Sequence, residues 1–189
     1  MFELQLMRFY SDTVRIGISA CLLGQRVRYD GSHKRHAWLI DQLGRYVTWV
    51  PVCPEVEFGL GVPRETISLV ASRSGEIRLI ATESRRDLTD DMNHHAAARV
   101  EQLIAEDLSG YVLKTRSPSC GLTQVAVLAS PDDRTPLSRD GRGIFAAALR
   151  ERFPGLPVVE EHQLDSCDGR NSFMVAVSRY HADRCSAPV

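Results

Sequence analysis

The sequence predicts an α/β fold, a three-layer sandwich around a mostly parallel sheet. Short apolar segments of strand character alternate with helical patterns, which favours parallel strands joined by right-handed crossover helices. In addition, three of the predicted strands each lead into a cysteine, and these are Cys21, Cys53 and Cys120. Because open, Rossmann-like sheets bind ligands at the carboxyl ends of their strands, we expect the three cysteines to meet at one edge.

The first third of the chain predicts one strand-helix-strand unit. A strand over residues 15–20 is followed by a loop over residues 21–31. An amphipathic helix over residues 32–43 comes next, with Ser32 as its N-cap. A second strand over residues 47–52 completes the unit, and its aromatic and β-branched residues suit a pleated sheet.

The middle of the chain predicts an irregular excursion, a hairpin and a long helix. Residues 54–64 are expected to be irregular because glycines and a proline interrupt them. Two apolar segments, residues 66–70 and 77–80, lie on either side of Gly75 and predict the hairpin. Residues 87–107 carry the clearest helical stripe of apolar side chains, with acidic residues at its start.

The remaining predicted elements again alternate strand and helix. In chain order they are a strand over residues 110–115, a strand over residues 125–128, a polar loop over residues 130–142, a helix over residues 143–153, a strand over residues 158–161 and a helix over residues 171–180. These elements extend the sheet and supply helices for its faces.

Length and composition predict one globular domain over residues 14–189, preceded by a variable extension over residues 1–13. The net charge of -1 offers no bulk electrostatic reason for binding nucleic acid or an anionic membrane. No apolar run reaches the length of a membrane-spanning helix, and the first residues lack a signal-peptide cleavage pattern. We therefore expect a cytoplasmic protein without a membrane partner.

The five cysteines are the main candidates for chemistry. In a cytoplasmic protein, cysteines are more often reduced, metal-binding or catalytic than paired in disulfides. Cys21, Cys53 and Cys120 are 32 and 67 residues apart, so no local CxxC pattern supports a zinc ribbon. A buried cysteine is commonly only a small apolar side chain. What distinguishes these three is their shared context after a strand, beside Pro, Gly or Ser.

Three thiolates are one ligand short of a closed tetrahedral zinc site or a fully cysteine-ligated [4Fe-4S] cluster. A cluster held by three cysteines leaves one iron open, and an open iron is a Lewis acid for a soft sulfur atom. Cys167 and Cys185 lie in polar surroundings near the end of the chain. We do not expect them to be ligands.

Several motifs together resemble the thiouracil desulfurase family. They are SACLLG at 19–24 with RYDG at 28–31, PVCPEV at 51–56, GLGVPR at 59–64, SPSCG at 117–121 and DGRG at 140–143. The match runs from about Arg15 to about Tyr180, and the order and number of the motifs argue against chance agreement.

The resemblance implies a compact α/β domain that holds an oxygen-sensitive [4Fe-4S] cluster on Cys21, Cys53 and Cys120. It also implies an enzyme with a non-redox reaction. The thiocarbonyl sulfur of a thiolated pyrimidine such as 2-thiouracil would bind the open iron, and water would replace sulfur at the ring carbon. Uracil and sulfide would leave.

The resemblance also implies two catalytic residues, Glu55 and Ser117. Glu55 would activate water or protonate the ring, although a carboxylate here could also be a helix cap or a loop charge. Ser117 matches the family's catalytic serine. Ser119 is so close that the assignment could fall on it instead, and either serine could serve only the turn around Pro118.

The expected partner is a small thiolated pyrimidine or nucleoside. Arg28, Tyr29 and Ser119 are candidates for binding it, while the first two could instead shape their loop. Arg64 and Lys114 are either anion ligands or, as the simpler interpretation, surface charges. The alternative to an enzyme is a non-catalytic iron-sulfur or zinc module that acts as a sensor or sulfur carrier, and the oligomeric state stays open.

Overall fold

Residues 14–185 are described by the computed structural model, so the predicted extension over residues 1–13 lies outside the described part. The strands in this part are β1 Arg15–Ser19, β2 Thr48–Val52, β3 Ile67–Ala71, β4 Ile77–Ala81, β5 Leu108–Leu113, β6 Val125–Leu128, β7 Ser138–Gly141 and β8 Val158–Glu160. The α-helices in this part are α1 Ala37–Asp41, α2 Pro54–Glu57, α3 Thr89–Gln102, α4 Ile144–Arg152 and α5 Cys167–Cys185. Within residues 14–185, no helix combines the length and the hydrophobicity needed to cross a membrane.

Four strands form a parallel sheet in the order β2-β1-β5-β8. Ile18 of β1 lies opposite Pro51 of β2 and Val112 of β5, so these three strands end at nearly the same level. All residues of β5 are buried, as expected for a central strand that is covered on both faces. The parallel sheet predicted from the sequence is confirmed.

Helices cover both faces of this sheet. On one face, α1 and α5 pack on the strands through a cluster that includes Ile16, Ile18, Leu39, Phe173 and Val177. On the other face, α3 and α4 pack through a second cluster that includes Val100, Tyr111, Leu113, Phe145 and Leu149. The predicted three-layer arrangement is therefore confirmed.

A second sheet, which the sequence did not separate from the first, has the order β4-β3-β6-β7. Strands β3 and β4 form the predicted hairpin, β6 runs parallel to β3, and β7 pairs antiparallel with β6. The polar loop predicted over residues 130–142 is wrong in its last part, because Ser138–Gly141 is β7. This edge strand is polar and largely open to solvent, so it has no alternating apolar pattern and is held by backbone pairing.

The predicted helix over residues 32–43 begins later than expected. Its N-cap is His36, whose Nδ1 accepts the N–H of Leu39 at 3.4 Å, whereas Ser32 bonds the carboxylate of Asp30. The residues before the helix are extended because their backbone pairs with the first cysteine loop. The N–H of His36, for example, donates to the Leu22 carbonyl at 2.9 Å.

Two other boundaries differ from the prediction. Residues 54–64 are not wholly irregular, because Pro54 starts the single turn α2, where its missing N–H and fixed φ are tolerated. Helix α5 is longer than the predicted residues 171–180. Its first turn is polar and has no apolar period, but Ser166 stabilises it by accepting the N–H of Gly169 at 3.0 Å.

Candidate active site

A cavity of about 370 Å³ opens where β1, β2 and β5 end. Cys21, Cys53 and Cys120 all line it, and all three are free thiols. Cys21 lies in the turn after β1, Cys53 directly follows β2, and Cys120 lies in the loop after β5. Because parallel strands end at one level, side chains far apart in sequence share a single space here.

The backbone around Cys21 is held from two directions. Gly24 closes the turn with a φ of 87°, a left-handed conformation that suits glycine, and its N–H donates to the Cys21 carbonyl at 3.2 Å. The same carbonyl accepts the N–H of Lys34 at 2.9 Å. The loop that carries Cys21 is therefore tied to the segment before α1.

The backbone of Cys53 is bound to Glu57, which in turn forms an ion pair with Arg99 of helix α3. Its N–H donates to Oε1 of Glu57 at 3.2 Å, and Oε2 of Glu57 accepts from Nε of Arg99 in α3 at 2.7 Å. Cys53 is also the residue that precedes α2, so the backbone changes direction at the cysteine. This network orients the thiol from outside the cavity.

Cys120 is held by a turn and by the start of α4. The Ser117 hydroxyl oxygen accepts the N–H groups of Ser119 and Cys120 at 3.2 and 3.0 Å. The Ser119 carbonyl in turn accepts the N–H groups of Phe145 and Ala146 at 2.9 and 3.2 Å. The cysteine loop thus supplies the acceptors that the first turn of α4 requires.

The DGRG motif brings α4 into contact with this loop. A Cβ atom on Gly143 would lie 2.5 Å from the carbonyl carbon and oxygen of Ser119 and 2.8 Å from the nitrogen of Cys120. Such distances are too short for any side chain. The glycine therefore permits the close backbone approach that places Cys120.

The protonation of the three thiols reflects their surroundings. Burial, together with a smaller contribution from a negative charge on Cys53, raises the pKa of Cys21 from 9.0 to about 11. Burial also raises the pKa values of Cys53 and Cys120, with Glu55 adding to the effect on Cys120. Three neighbouring thiolates would repel one another, so a positively charged partner is needed to hold all three deprotonated.

This donor set fits an iron-sulfur cluster. Each thiolate of such a cluster binds a different iron, so the sulfur atoms need to face a common space but do not converge on one point. Cys21, Cys53 and Cys120 do face one cavity. Within residues 14–185, no three His, Cys, Asp or Glu side chains are grouped closely enough to hold a single metal ion.

The cavity wall is rich in positive charge. Its basic residues are Arg28, Lys34, Arg64, Lys114 and Arg116, and its acidic residue is Glu55. The interpretation of Arg64 and Lys114 as surface charges is wrong, because their side chains are only 6% and 15% exposed. Arg64 pairs with Glu55, and Lys114 pairs with Glu161.

Glu55 lines the cavity, and one of its two carboxylate oxygens is bound by Arg64. Nε and Nη2 of Arg64 donate to its Oε2 at 3.0 and 2.7 Å. Arg64 also donates to the carbonyl oxygens of Gly61 and Val27, at 2.8 and 3.0 Å. The ion pair fixes the carboxylate through Oε2, and Arg64 makes no hydrogen bond to the other oxygen, Oε1.

The two candidate serines differ in position. Ser117 lines the cavity, and its oxygen accepts the two N–H groups of the turn, so its proton stays free to donate. Ser119 is fully buried and is not among the residues that line the cavity. Its hydroxyl has no hydrogen-bond partner within the described residues.

Arg28 and Tyr29 both line the cavity. The Arg28 guanidinium lies 5.5 Å from the centre of the Tyr29 ring, and its buried Nε has no hydrogen-bond partner within residues 14–185. Tyr29 is 40% exposed, and its carbonyl accepts the N–H of Arg64 at 2.9 Å. Both side chains can therefore meet a ligand that enters from solvent.

The chain matches the family model of 2-thiouracil desulfurase over residues 16–161. It belongs to the 2-thiouracil desulfurase family. The resemblance inferred from the motifs is thereby confirmed, and the matched region contains all three cavity cysteines.

Two similar proteins agree with this family. An uncharacterised Bacillus subtilis protein, YbbK, is 28% identical over 155 residues, which cover 78% of this chain and 96% of that protein. A solved structure described as [4Fe-4S]-dependent thiouracil desulfidase TudS is 33% identical with a TM-score of 0.61, and the match covers 81% of this chain and 94% of that one. The family and the structural neighbour support the predicted fold, enzyme class and cofactor class.

Part of the cavity in this desulfurase-family chain was not predicted from the sequence. Lys34, Thr66, Ile67, Thr115 and Arg116 line it but were not singled out. Thr66 and Ile67 come from the start of the second sheet, whose place could not be predicted. Arg116 has a φ of 59°, which non-glycine residues rarely adopt, and its position beside the cysteine loop motif was the available signal.

Proposed function

We propose that this protein replaces the sulfur of a thiolated pyrimidine, such as 2-thiouracil, with oxygen from water. The reaction converts a thiocarbonyl and water into a carbonyl and hydrogen sulfide, so no carbon or sulfur atom changes its oxidation state. The observation that carries the proposal is the joint position of Cys21, Cys53, Cys120, Glu55 and Ser117 on one cavity in a chain of this family.

Cys21, Cys53 and Cys120 would hold a [4Fe-4S] cluster through their thiolates. When bound, the cluster supplies a Lewis-acidic iron for the thiocarbonyl sulfur. The three cysteines on one cavity support this assignment, and a cationic centre would offset the burial and mutual repulsion that raise the pKa values of their thiols. Free thiols and an oxygen-sensitive cluster suit a reducing compartment, and we place the protein in the cytoplasm.

Glu55 would act as the acid-base group. Glu55 lines the cavity, and its Oε1, which Arg64 does not hold, could take a proton from the attacking water and return it to the pyrimidine or to the leaving sulfur. Arg64 holds Oε2, so the carboxylate keeps one orientation through the proton transfers. Arg64 is accordingly a positioning residue.

Ser117 would orient the substrate. Because two backbone N–H groups polarise its oxygen, its O–H is a stronger donor toward a pyrimidine oxygen or nitrogen. We assign the catalytic serine to Ser117 and not to Ser119, which is fully buried and does not line the cavity. Ser119 would support the site through its backbone carbonyl.

Arg28 and Tyr29 would bind the substrate at the cavity entrance. The exposed Tyr29 ring can stack on a pyrimidine, and the guanidinium of Arg28 can donate to a carbonyl or an anionic group. A cavity of about 370 Å³ is large enough for a base or a nucleoside. Its excess of basic side chains favours a substrate that carries negative charge.

The test is anaerobic reconstitution with iron and sulfide, followed by assay of sulfide release from a panel of thiolated bases, nucleosides and nucleoside monophosphates. We expect turnover by the wild type, and a Glu55→Gln variant that keeps its iron but loses turnover by about 100-fold or more. Ser117→Ala should lose less. A folded protein that never takes up iron would refute the proposal, and one that binds a cluster without releasing sulfide would be a sensor or carrier.

A further inference from the structure

Two adjacent glutamates at the end of β8 hold the loop that carries Ser117 and Cys120. Glu160 is the last residue of β8 and lies opposite Leu113, the last residue of β5, and Glu161 follows it. Neither glutamate is among the described residues that line the cavity. Because consecutive residues of an extended chain project to opposite sides, each carboxylate can reach a different part of the neighbouring loop.

Glu161 binds the start of this loop through both of its oxygens. Its Oε1 forms the ion pair with Lys114, and its Oε2 accepts the N–H of Thr115 at 2.6 Å. The Lys114 ammonium also donates to the Thr115 carbonyl at 3.1 Å, so both backbone polar groups of Thr115 are held. The side chains of Glu161 and Lys114 are largely buried, and charge-assisted hydrogen bonds of this kind are stronger than neutral ones.

Glu160 binds the end of the same loop. Its Oε1 accepts the N–H of Leu122 at 3.0 Å, and its Oε2 accepts the hydroxyl of Thr123 at 2.9 Å. Leu122 is two residues after Cys120, so this glutamate acts at the cysteine end of the loop. The other end, which precedes the serine, depends on Glu161.

Arg116 separates the residue that Glu161 binds from Ser117. Its φ of 59° is a left-handed conformation, which a non-glycine residue keeps only when its surroundings impose it. On the side of Ser117, the backbone is fixed by a turn in which the Ser117 carbonyl accepts the N–H of Gly121 at 2.7 Å. On the other side, it is fixed by the bond from Thr115 to Glu161.

We propose that Glu161 is a positioning residue for the desulfuration, which fixes Thr115 and Arg116 so that Ser117 presents its hydroxyl to the substrate. The inference rests on the proposed function, in which Ser117 orients the pyrimidine. Glu161 does not line the cavity, so it acts through this segment and not on the substrate. A misplacement of about 1 Å in an orienting group can cost about 100-fold in rate, so a carboxylate outside the cavity can affect turnover.

The experiment is a double-mutant cycle in the full-length, anaerobically reconstituted protein. Sulfide release from 2-thiouracil is measured for the wild type, Glu161→Ala, Ser117→Ala and the variant with both changes. Glu161→Ala should lower kcat/KM by about tenfold and keep wild-type iron, because Glu160 still holds the cysteine end. In the Ser117→Ala background, the same change should cost less than about twofold, since the group that it positions is already absent.

Glu161→Gln is the conservative variant in this cycle. Its amide oxygen can still accept the N–H of Thr115, so it should recover most of the turnover that Glu161→Ala loses.

Amide hydrogen exchange provides a readout that needs no turnover. In the iron-free protein, the peptide over residues 114–118 should exchange about tenfold faster in Glu161→Ala than in the wild type, because the segment opens more often without its acceptor. Glu161→Gln should remain close to the wild type. Mass spectrometry of the peptides measures these rates.

Asp87→Ala is the matched control. Like Glu161, Asp87 binds a basic side chain and a backbone N–H: it accepts from Arg78 at 2.8 Å and from the N–H of Thr89 at 3.0 Å. It does not line the cavity. This variant should lower the thermal midpoint but leave kcat/KM and the exchange of residues 114–118 unchanged, so a general loss of stability is told apart from a loss of position.

Each outcome supports or overturns the inference. Independent losses that multiply in the double variant, or unchanged exchange in Glu161→Ala, would overturn it and leave the proposed function intact. A fall in iron that matches the fall in turnover would also overturn it, because the effect would then come from Cys120 and not from Ser117. Failure of the wild type to load iron or release sulfide would overturn both proposals. If Glu161→Ala does not fold, Glu161→Met, which has a similar length but no carboxylate, replaces it in every measurement.

Discussion

Two groups of cysteines in this protein have opposite surroundings. Cys21, Cys53 and Cys120 lie at the ends of three parallel strands and share one cavity, whereas Cys167 and Cys185 are exposed at the two ends of α5. A helix rises 1.5 Å per residue, so the second pair is separated by about 27 Å. The position of each cysteine in the fold therefore determines which thiols can bind a common ligand.

Removing the thiols one at a time should separate the two groups of cysteines most strongly. Changing Cys21, Cys53 or Cys120 to Ala should reduce bound iron to background, because two thiolates are too few to hold the cluster. Cys167→Ala and Cys185→Ala should keep wild-type iron. Iron and sulfide analysis after reconstitution measures this. Loss of iron in either α5 variant would end the distinction between the groups.

The reactivity of the cluster-free protein offers a second test. A pKa of about 11 makes the Cys21 thiolate about 100-fold scarcer at neutral pH than for a thiol at the ordinary value of 9.0. Iodoacetamide should therefore label Cys167 and Cys185 first. Since deprotonation rises with pH, labelling of Cys21 should increase about tenfold per pH unit until the pH approaches 11.

Mass spectrometry of the labelled peptides measures these rates under reducing, metal-free conditions. If Cys21 and Cys167 were labelled equally fast at pH 8, burial would not lower the reactivity of Cys21, and this prediction would be wrong. Unfolding the protein first should make all five cysteines react alike, which provides the internal control.

A substitution at Gly143 tests how Cys120 is positioned without changing a cysteine, and its expected effect is smaller. Gly143→Ala should destabilise the protein by ~1–3 kcal/mol and weaken iron retention, because the new Cβ would lie 2.5 Å from the Ser119 carbonyl. The φ of Gly143 is -65°, so alanine strains the contact and not the backbone conformation. Denaturant unfolding and chelator challenge measure the two effects.

Gly155→Ala is the matched control for this variant. Its new Cβ would lie 3.7 Å from the nearest atom, Cε2 of Tyr180, which is an ordinary contact. A change within about 0.5 kcal/mol is expected. Equal stability and iron retention in the two variants would mean that the approach of α4 does not position Cys120.

The secondary structure was predictable where side-chain patterns are strong. The β3–β4 hairpin and helix α3 follow from apolar periodicity, and both are present. Strand β7 and the late start of α1 were missed because their causes are not local. The first depends on pairing with β6, and the second on N–H groups that bond the Cys21 loop.

The three cysteines of the candidate site could be predicted from the sequence, but the other residues that line the cavity could not. A strand that ends at a cysteine is visible in the chain, and three repeats of this pattern indicated a common edge. The burial of Arg64 and Lys114 was not visible, because it depends on Glu55 and Glu161. Lys114 and Glu161 are 47 residues apart, and nothing in either local segment indicates the other.

The residues that could carry the chemistry were visible in the amino-acid sequence: three cysteines after strands, an acid beside one of them and serines beside another. Short-range patterns suffice for this because strand propensity, turn residues and motif spacing are local properties. Three facts became visible only in the folded protein: these groups line one cavity, Ser117 lines it whereas Ser119 does not, and basic side chains form much of its wall. Those facts depend on sheet order and on long-range pairing, which arise when distant segments bury their surfaces together.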